Sequence, residues 1–275
     1  MNQDTKLHGE QTPENEIGRI NLLSLYKVFL LHTQLPQYVV DILNTYTDSV
    51  VESKNKKSLA DGLVGQIRQD KQSGQWVMDH MHPDLAEFRN VCLNMCDKFV
   101  EGFYELKKYD RQEKEELIGQ IDRMWSVHSY AGDYNPIHAH GGPTIRMLSL
   151  VVWTKVPGCI RKIPFDDPLI GATGNSDGFI DFMPEPAGVN DEAMFKFTGG
   201  LRLKPEVGKV WVFPSWLNHM VWPFTGEGER RTISMNVSMW PPEQLDPERR
   251  EIFDKIRGED LADGTEIKKP AFKLT

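Results

Sequence analysis

The spacing of apolar side chains changes period once along this chain. Leu85, Phe88, Cys92, Met95, Phe99, Phe103 and Leu106 recur at steps of three and four residues. That spacing places them on one face of a predicted helix. His82-Pro83-Asp84 supplies its start, because proline is tolerated in a first turn and an acidic residue suits the positive end of the helix dipole. Lys107, Lys108 and Arg111 suit the other end. Pro36 opens an earlier predicted helix with Tyr38, Val39, Ile42, Leu43 and Tyr46 on one side. Before it, Ile20 to Leu31 reads as an extended element. Lys54 to Gln75 is polar, carries Gly62, Gly65 and Gly74, and is predicted to be irregular.

After Asp122 the period becomes twofold. Arg146 to Thr154 reads as a strand rich in Leu and Val, Val210 to Phe213 as another, and Met220 to Trp222 as a third. The clearest alternation puts Arg230, Thr232, Ser234, Asn236 and Ser238 on one face. Arg231, Ile233, Met235, Val237 and Met239 occupy the other. A strand with one polar and one apolar face suits the wall of a polar cavity. Residues 157–208 carry Gly, Pro and Asp between short apolar runs, the pattern of hairpins with long loops. Helices first and strands later predict an α+β chain built on a β-sandwich or barrel.

Composition narrows this reading. The 275 residues, 39% apolar and 26% charged, suffice for one large domain without a structural metal or disulfides. Three cysteines fit a reducing compartment. The expected location is therefore the cytoplasm. A net charge of −8 disfavours generic nucleic-acid binding. No run approaches the ~20 apolar residues of a membrane span, and the polar, acidic start shows no signal peptide. The organisation expected is a disordered tail at 1–17 and a single domain at 18–275. Within that domain, 18–115 is mainly a helical layer, 116–240 the β core, and 241–275 a C-terminal helix and tail.

Candidate chemistry concentrates in the β core. In Tyr134-Asn135-Pro136-Ile137-His138-Ala139-His140-Gly141-Gly142, two histidines one residue apart on a strand point the same way and can reach one ion. Alone such a pair is weak evidence, but a third histidine follows in Phe213-Pro214-Ser215-Trp216-Leu217-Asn218-His219. Arg230 comes eleven residues later, at the head of the polar-faced strand. Bringing these distant strands to one point requires a fold such as a jelly roll.

These segments, Gly132 to His140, Pro214 to His219 and Arg230-Arg231-Thr232, resemble the 2-oxoglutarate/Fe(II)-dependent oxygenase superfamily. Within it they resemble small oxygenases of marine bacteriophages, which would imply a host cytoplasm as the location. The resemblance covers roughly residues 121–240. It implies a double-stranded β-helix (jelly-roll) core, with the N-terminal helices packed on one sheet. It also implies Fe(II) and 2-oxoglutarate as cofactor and cosubstrate, with O2 and an unidentified organic or peptidyl substrate. By resemblance His138 and His219 are iron ligands, and His140 stands where the superfamily usually has Asp. Arg230 would hold the far carboxylate of 2-oxoglutarate through a two-pronged ion pair, supported by Thr232.

A third imidazole in place of a carboxylate leaves the site one unit more positive, and Asp133 is the alternative carboxylate. Two other readings stay open: a three-histidine, cupin-like iron dioxygenase that does not use 2-oxoglutarate, and a jelly-roll binding or structural protein. Arg146, Ser149, His128, Tyr134 and Trp216 are candidate pocket residues. Each has an ordinary packing role as its rival explanation. Cys92 and Cys96 read as buried thiols within the helix face, and His80 and His82 as a loop and helix start.

Overall fold

The computed structural model describes residues 21–25, 28–70, 74–107, 116–144, 146–161, 176–183 and 201–244. The expected tail at 1–17, most of the C-terminal helix and tail, and Lys108 and Arg111 lie outside them.

Two antiparallel sheets form the core. Eight strands are divided between them: β4 (Ile118–Ser129), β5 (Asn135–His138), β6 (Met147–Lys155), β7 (Ile180–Met183), β8 (Leu201–Leu203), β9 (Lys209–Pro214), β10 (Asn218–Val221) and β11 (Arg230–Trp240). Strands β4, β6, β9 and β11 lie in the larger sheet, whereas β5, β7, β8 and β10 form the smaller, in the order β5-β10-β7-β8. Four strands in each of two packed sheets is a jelly-roll arrangement. Three N-terminal strands lengthen the larger sheet: β1 (Asn21–Leu25), β2 (Val28–Gln34) and β3 (Gly74–Val77). Its order is β1-β2-β9-β6-β11-β4-β3. The N-terminal layer is therefore helices plus sheet edges. Ile20–Leu31 reads as one element in sequence, but its described residues fall in two antiparallel strands, with Leu25 paired to Val28.

The helices are α1 (Gln37–Glu52) and α2 (Ala86–Lys107). Val39, Val40, Leu43 and Tyr46 of α1 join Phe88, Cys92, Met95 and Phe99 of α2 in one buried cluster. Ile233, Met235, Val237 and Met239, the apolar face of β11, belong to the same cluster. The helices thus cover the face of the larger sheet that points away from the smaller one. On α1 the buried stripe runs one step away from the predicted side: Tyr38 and Ile42 are exposed, while Val40 and Thr47 are buried. α2 starts as expected. A 3-10 turn at Pro83–Leu85 precedes it, and His82 accepts a hydrogen bond from the Asp84 amide.

A second cluster fills the space between the sheets, with Val151 and Trp153 of β6, Trp211 and Phe213 of β9, and Ile180 and Phe182 of β7. Strand β6 begins at Met147, not at Arg146, and β10 ends at Val221, before Trp222. No described helix is long and apolar enough to cross a membrane.

Candidate metal centre and pocket

Strand pairing assembles the three histidines. His138 ends β5 and pairs directly with His219 of β10. His140 follows β5 by two residues, and its amide donates to the Ser215 carbonyl at 2.8 Å. That bond ties the chain after the histidine pair to the β9–β10 turn. One ligand-capable atom from each of His138, His140 and His219 lies within 4.8 Å of the others, and this is a metal-capable group among the described residues.

The outward ring nitrogens show which atoms face the centre. His138 Nδ1 donates to the Pro136 carbonyl at 2.8 Å, and His219 Nδ1 donates to the Leu217 carbonyl at 2.9 Å. A carbonyl only accepts, so each Nδ1 carries the proton and each Nε2 keeps its lone pair. His140 Nδ1 reaches Asn236 Oδ1 at 2.9 Å and Ser149 Oγ at 2.9 Å. Ser149 continues to Ser215 Oγ at 2.9 Å and Asn236 Oδ1 at 3.0 Å. Such outer partners fix the tautomer and ring angle of a ligating imidazole. All three rings resist protonation. Burial lowers the pKa of His138; burial also takes His140 to about 4 and His219 to about 3, helped in each case by the neighbouring imidazoles. Neutral imidazoles with convergent Nε2 atoms are what a divalent metal binds.

The pocket above the histidines lies between the sheets, with Trp125, Val127, Trp153 and Phe213 among its apolar walls. Arg230, Thr232 and Ser234 bring the polar face of β11 into it. Arg230 is 2% exposed. Its Nη1 donates to the Gly178 and Trp222 carbonyls at 3.1 and 3.3 Å, and its Nη2 donates to Ser129 Oγ at 3.2 Å. Its buried Nε has no hydrogen-bond partner among the described residues. Burial lowers its pKa to about 10, against an upward pull from Asp133. The guanidinium is charged at neutral pH, and the described residues of the pocket wall include no carboxylate. An orphaned N–H on a buried cation suits a carboxylate ligand, so the residues present fit both a metal and a 2-oxo acid.

Other candidates are redistributed. Asp133 is buried but turned away, accepting from the amides of Tyr130 and Arg68 and facing Arg68 Nε at 3.4 Å. It is not in the metal-capable group. Ser149 sits behind His140, as a support rather than a pocket wall. His128 does not line the pocket. It shares the opposite strand face with Met124, where Nδ1 donates to Glu229 at 2.7 Å and Nε2 accepts from Ser126 Oγ at 2.9 Å. Arg146 is exposed and outside the pocket lining. Tyr134 and Trp216 are exposed too, at 37% and 55%. Neither belongs to the lining.

Asn236, Gln75 and Asn135 were not singled out from sequence. Asn236 carried a signal, its place on the polar face of β11. Gln75 carried none, since β3 emerges from a stretch without periodicity.

Comparison with known proteins adds a family-level likeness. Residues 123–236 match the family described as "Putative 2OG-Fe(II) oxygenase", close to the 121–240 segment that carries the sequence resemblance. No curated protein shows significant similarity to the chain. Among solved structures, a Pseudomonas putida prolyl-4-hydroxylase is similar at 13% identity and a TM-score of 0.40, over 76% of this chain and 91% of that one. The non-heme alpha ketoglutarate dependent carbocyclase SnoK from nogalamycin biosynthesis is similar at 10% identity and 0.46, over 76% and 78%. A prolyl hydroxylase from Trichoplax adhaerens, in complex with a hypoxia inducible factor peptide fragment, is similar at 10% identity and 0.42, over 85% and 86%. The β core of this chain is thus similar to the 2OG-Fe(II) oxygenases, a family that implies Fe(II) and 2-oxoglutarate, and a three-histidine group stands at its centre.

Proposed function

We propose that the protein is an Fe(II)- and 2-oxoglutarate-dependent oxygenase of the hydroxylase type, acting in the cytoplasm on an organic or peptidyl substrate. The observation that carries this reading is the orientation of the three imidazoles, each with Nδ1 spent on an outer acceptor and Nε2 left for a metal. His138, His140 and His219 would hold the iron. Iron(II), when bound, supplies open positions at which a 2-oxo acid and O2 react together. Arg230 would bind the far carboxylate of 2-oxoglutarate through its free Nε–H and the second N–H of Nη2, with Thr232 beside it on the same strand face. The aromatic walls would exclude water from the reacting groups. In the balanced reaction, R–H, O2 and 2-oxoglutarate give R–OH, succinate and CO2.

The test is succinate release from 2-oxoglutarate under Fe(II) and air, with calorimetric titration of 2-oxoglutarate alongside. Turnover that is lost in His138→Ala and His219→Ala supports the reading. Iron-loaded protein that neither binds nor consumes 2-oxoglutarate overturns it.

The third imidazole favours one rival, a three-histidine iron dioxygenase that binds its organic substrate without 2-oxoglutarate. That enzyme would consume oxygen without the cosubstrate and would be indifferent to Arg230→Ala.

A further inference from the structure

The pocket contains a second set of orphaned polar atoms. Gln75 of β3 is 1% exposed. It pairs with Val127, which pairs in turn with Thr232. Residues directly opposite across a sheet share a face, so the Gln75 side chain points to the pocket that Thr232 lines. Its buried Oε1 has no hydrogen-bond partner among the described residues, and the same is true of Asn135 Oδ1 at the start of β5. Both residues line the pocket, with Gly65 between them. A Cβ on Gly65 would stand 2.6 Å from Gln75 Nε2 and 2.9 Å from Asn135 Oδ1. Only a residue with no side chain leaves both carboxamides room to face the cavity.

A buried acceptor without a donor costs about 1–3 kcal/mol. Two such acceptors, on side chains that meet beside one glycine of the pocket wall, suit a ligand that donates. The charge pattern says which kind. Among the described residues of the lining, Arg230 is the sole Lys, Arg, Asp or Glu. A cationic ligand would meet no carboxylate, and a second anion beside 2-oxoglutarate would meet no second cation.

We infer that Gln75 and Asn135 form the subsite for the oxidised substrate, which is an uncharged molecule offering N–H donors, such as a carboxamide, on an apolar body. The inference rests on the oxygenase reading for the word substrate, but the subsite stands on its own geometry. A primary amide has two N–H groups for the two acceptors. Leu63, Val64 and Trp125 give its apolar part a surface.

Three probes matched in shape test this: isobutyramide, isobutyrate and isobutylamine. Their binding is measured by ligand-observed NMR on the full chain, with Zn(II) and saturating 2-oxoglutarate and again with neither. Isobutyramide is expected to bind at least about fivefold more tightly than either charged analogue, the equivalent of one hydrogen bond. Gln75→Leu, Asn135→Leu and Gly65→Ala should each weaken it by a similar factor, with 2-oxoglutarate affinity unchanged. Gly65→Ala removes no polar group, and its closest contacts are side-chain atoms and not backbone, so it reports even if a leucine variant fails to fold.

Equal binding of the three probes overturns the inference, as does isobutyramide binding that no variant alters. A loss of 2-oxoglutarate affinity in Gln75→Leu also overturns it, because the subsite would then serve the cosubstrate. Amide binding by a protein that does not bind 2-oxoglutarate supports the subsite and overturns the oxygenase reading instead.

Discussion

His140 Nδ1 lies 2.9 Å from Asn236 Oδ1, across 96 residues of chain. That contact turns the Nε2 of the least conventionally placed histidine toward the other two. A ligating imidazole whose outer nitrogen loses its acceptor is less basic and free to rotate.

Asn236→Leu is therefore expected to lower affinity for Fe(II) or Co(II) by about 10–100-fold, the usual cost of losing such a partner. Ser149 still reaches Nδ1, so the lower part of that range is expected, with a larger loss in the Ser149→Ala, Asn236→Leu double variant. Co(II) titration followed by visible absorption measures both, and circular dichroism confirms the fold. Unchanged cobalt affinity in the double variant would show that His140 is not a ligand.

Arg230 tests the cosubstrate. Removing one partner of a buried, hydrogen-bonded charge pair costs about 2–5 kcal/mol. Arg230→Met should thus weaken 2-oxoglutarate binding by about 30-fold or more while leaving Co(II) affinity intact. Arg230→Lys should not restore it, because an ammonium cannot reproduce the planar donor fork. Calorimetric titration with 2-oxoglutarate reads both. An Arg230→Met protein that binds the acid normally would favour the rival three-histidine dioxygenase.

These two residues also mark how far the sequence was legible. Arg230 and Asn236 belong to an eleven-residue strand whose polar and apolar faces separate cleanly, and the structure turns those faces to the pocket and to the helix-covered core. The histidines were legible because their spacing is a geometric statement about a strand. His128 was not. From Met124 to Ser129 both faces of β4 are buried, so alternation does not say which one meets the pocket. A polar residue there is explained equally well by Glu229 and Ser126 as partners. Gln75 was invisible for another reason: pairing with β4 creates its strand, and four residues carry no period of their own. The shift on α1 has the same origin, since the sheet beneath the helix decides which of two adjacent apolar stripes it covers.

Leu43 tests the packing of that helix. It is 0% exposed and lies in the cluster shared by α1, α2 and the larger sheet. Leu43→Ala should cost about 2–5 kcal/mol of unfolding free energy, from lost burial plus the cavity left behind. The variant should bind Co(II) normally, because His138 and His219 belong to strands of the smaller sheet and His140 follows one of them, away from the helix-covered face of the larger sheet. Urea unfolding and cobalt titration on one preparation measure the two effects, and a loss below about 1 kcal/mol would show that the helix layer packs loosely.

Glu229 predicts the acid response of the fold. Burial alone would raise its pKa, but hydrogen bonds with His128 and Arg231 outweigh that and lower it to about 2, from an ordinary value of 4.5. Its contacts are close, with Arg231 Nε at 2.7 Å and Lys155 Nζ at 3.1 Å. A carboxylate with a depressed folded pKa contributes stability that is fully present above the unfolded value and disappears as pH falls through the folded one. The window is therefore pH 4.5 down to about 2. One pKa unit corresponds to about 1.4 kcal/mol, and partial solvent screening reduces the whole contribution to about 2 kcal/mol. His128 adds a loss at higher pH. Burial lowers its pKa below 6.5, so protons favour the unfolded chain as pH falls from there. Metal-free protein should accordingly lose stability first below about pH 6.5 and again below about 4.5. In Glu229→Gln the lower step should shrink, with reduced stability already at pH 7. Urea unfolding at pH 7, 5.5, 4 and 3 decides it, and parallel pH profiles for the two proteins would remove Glu229 as the source.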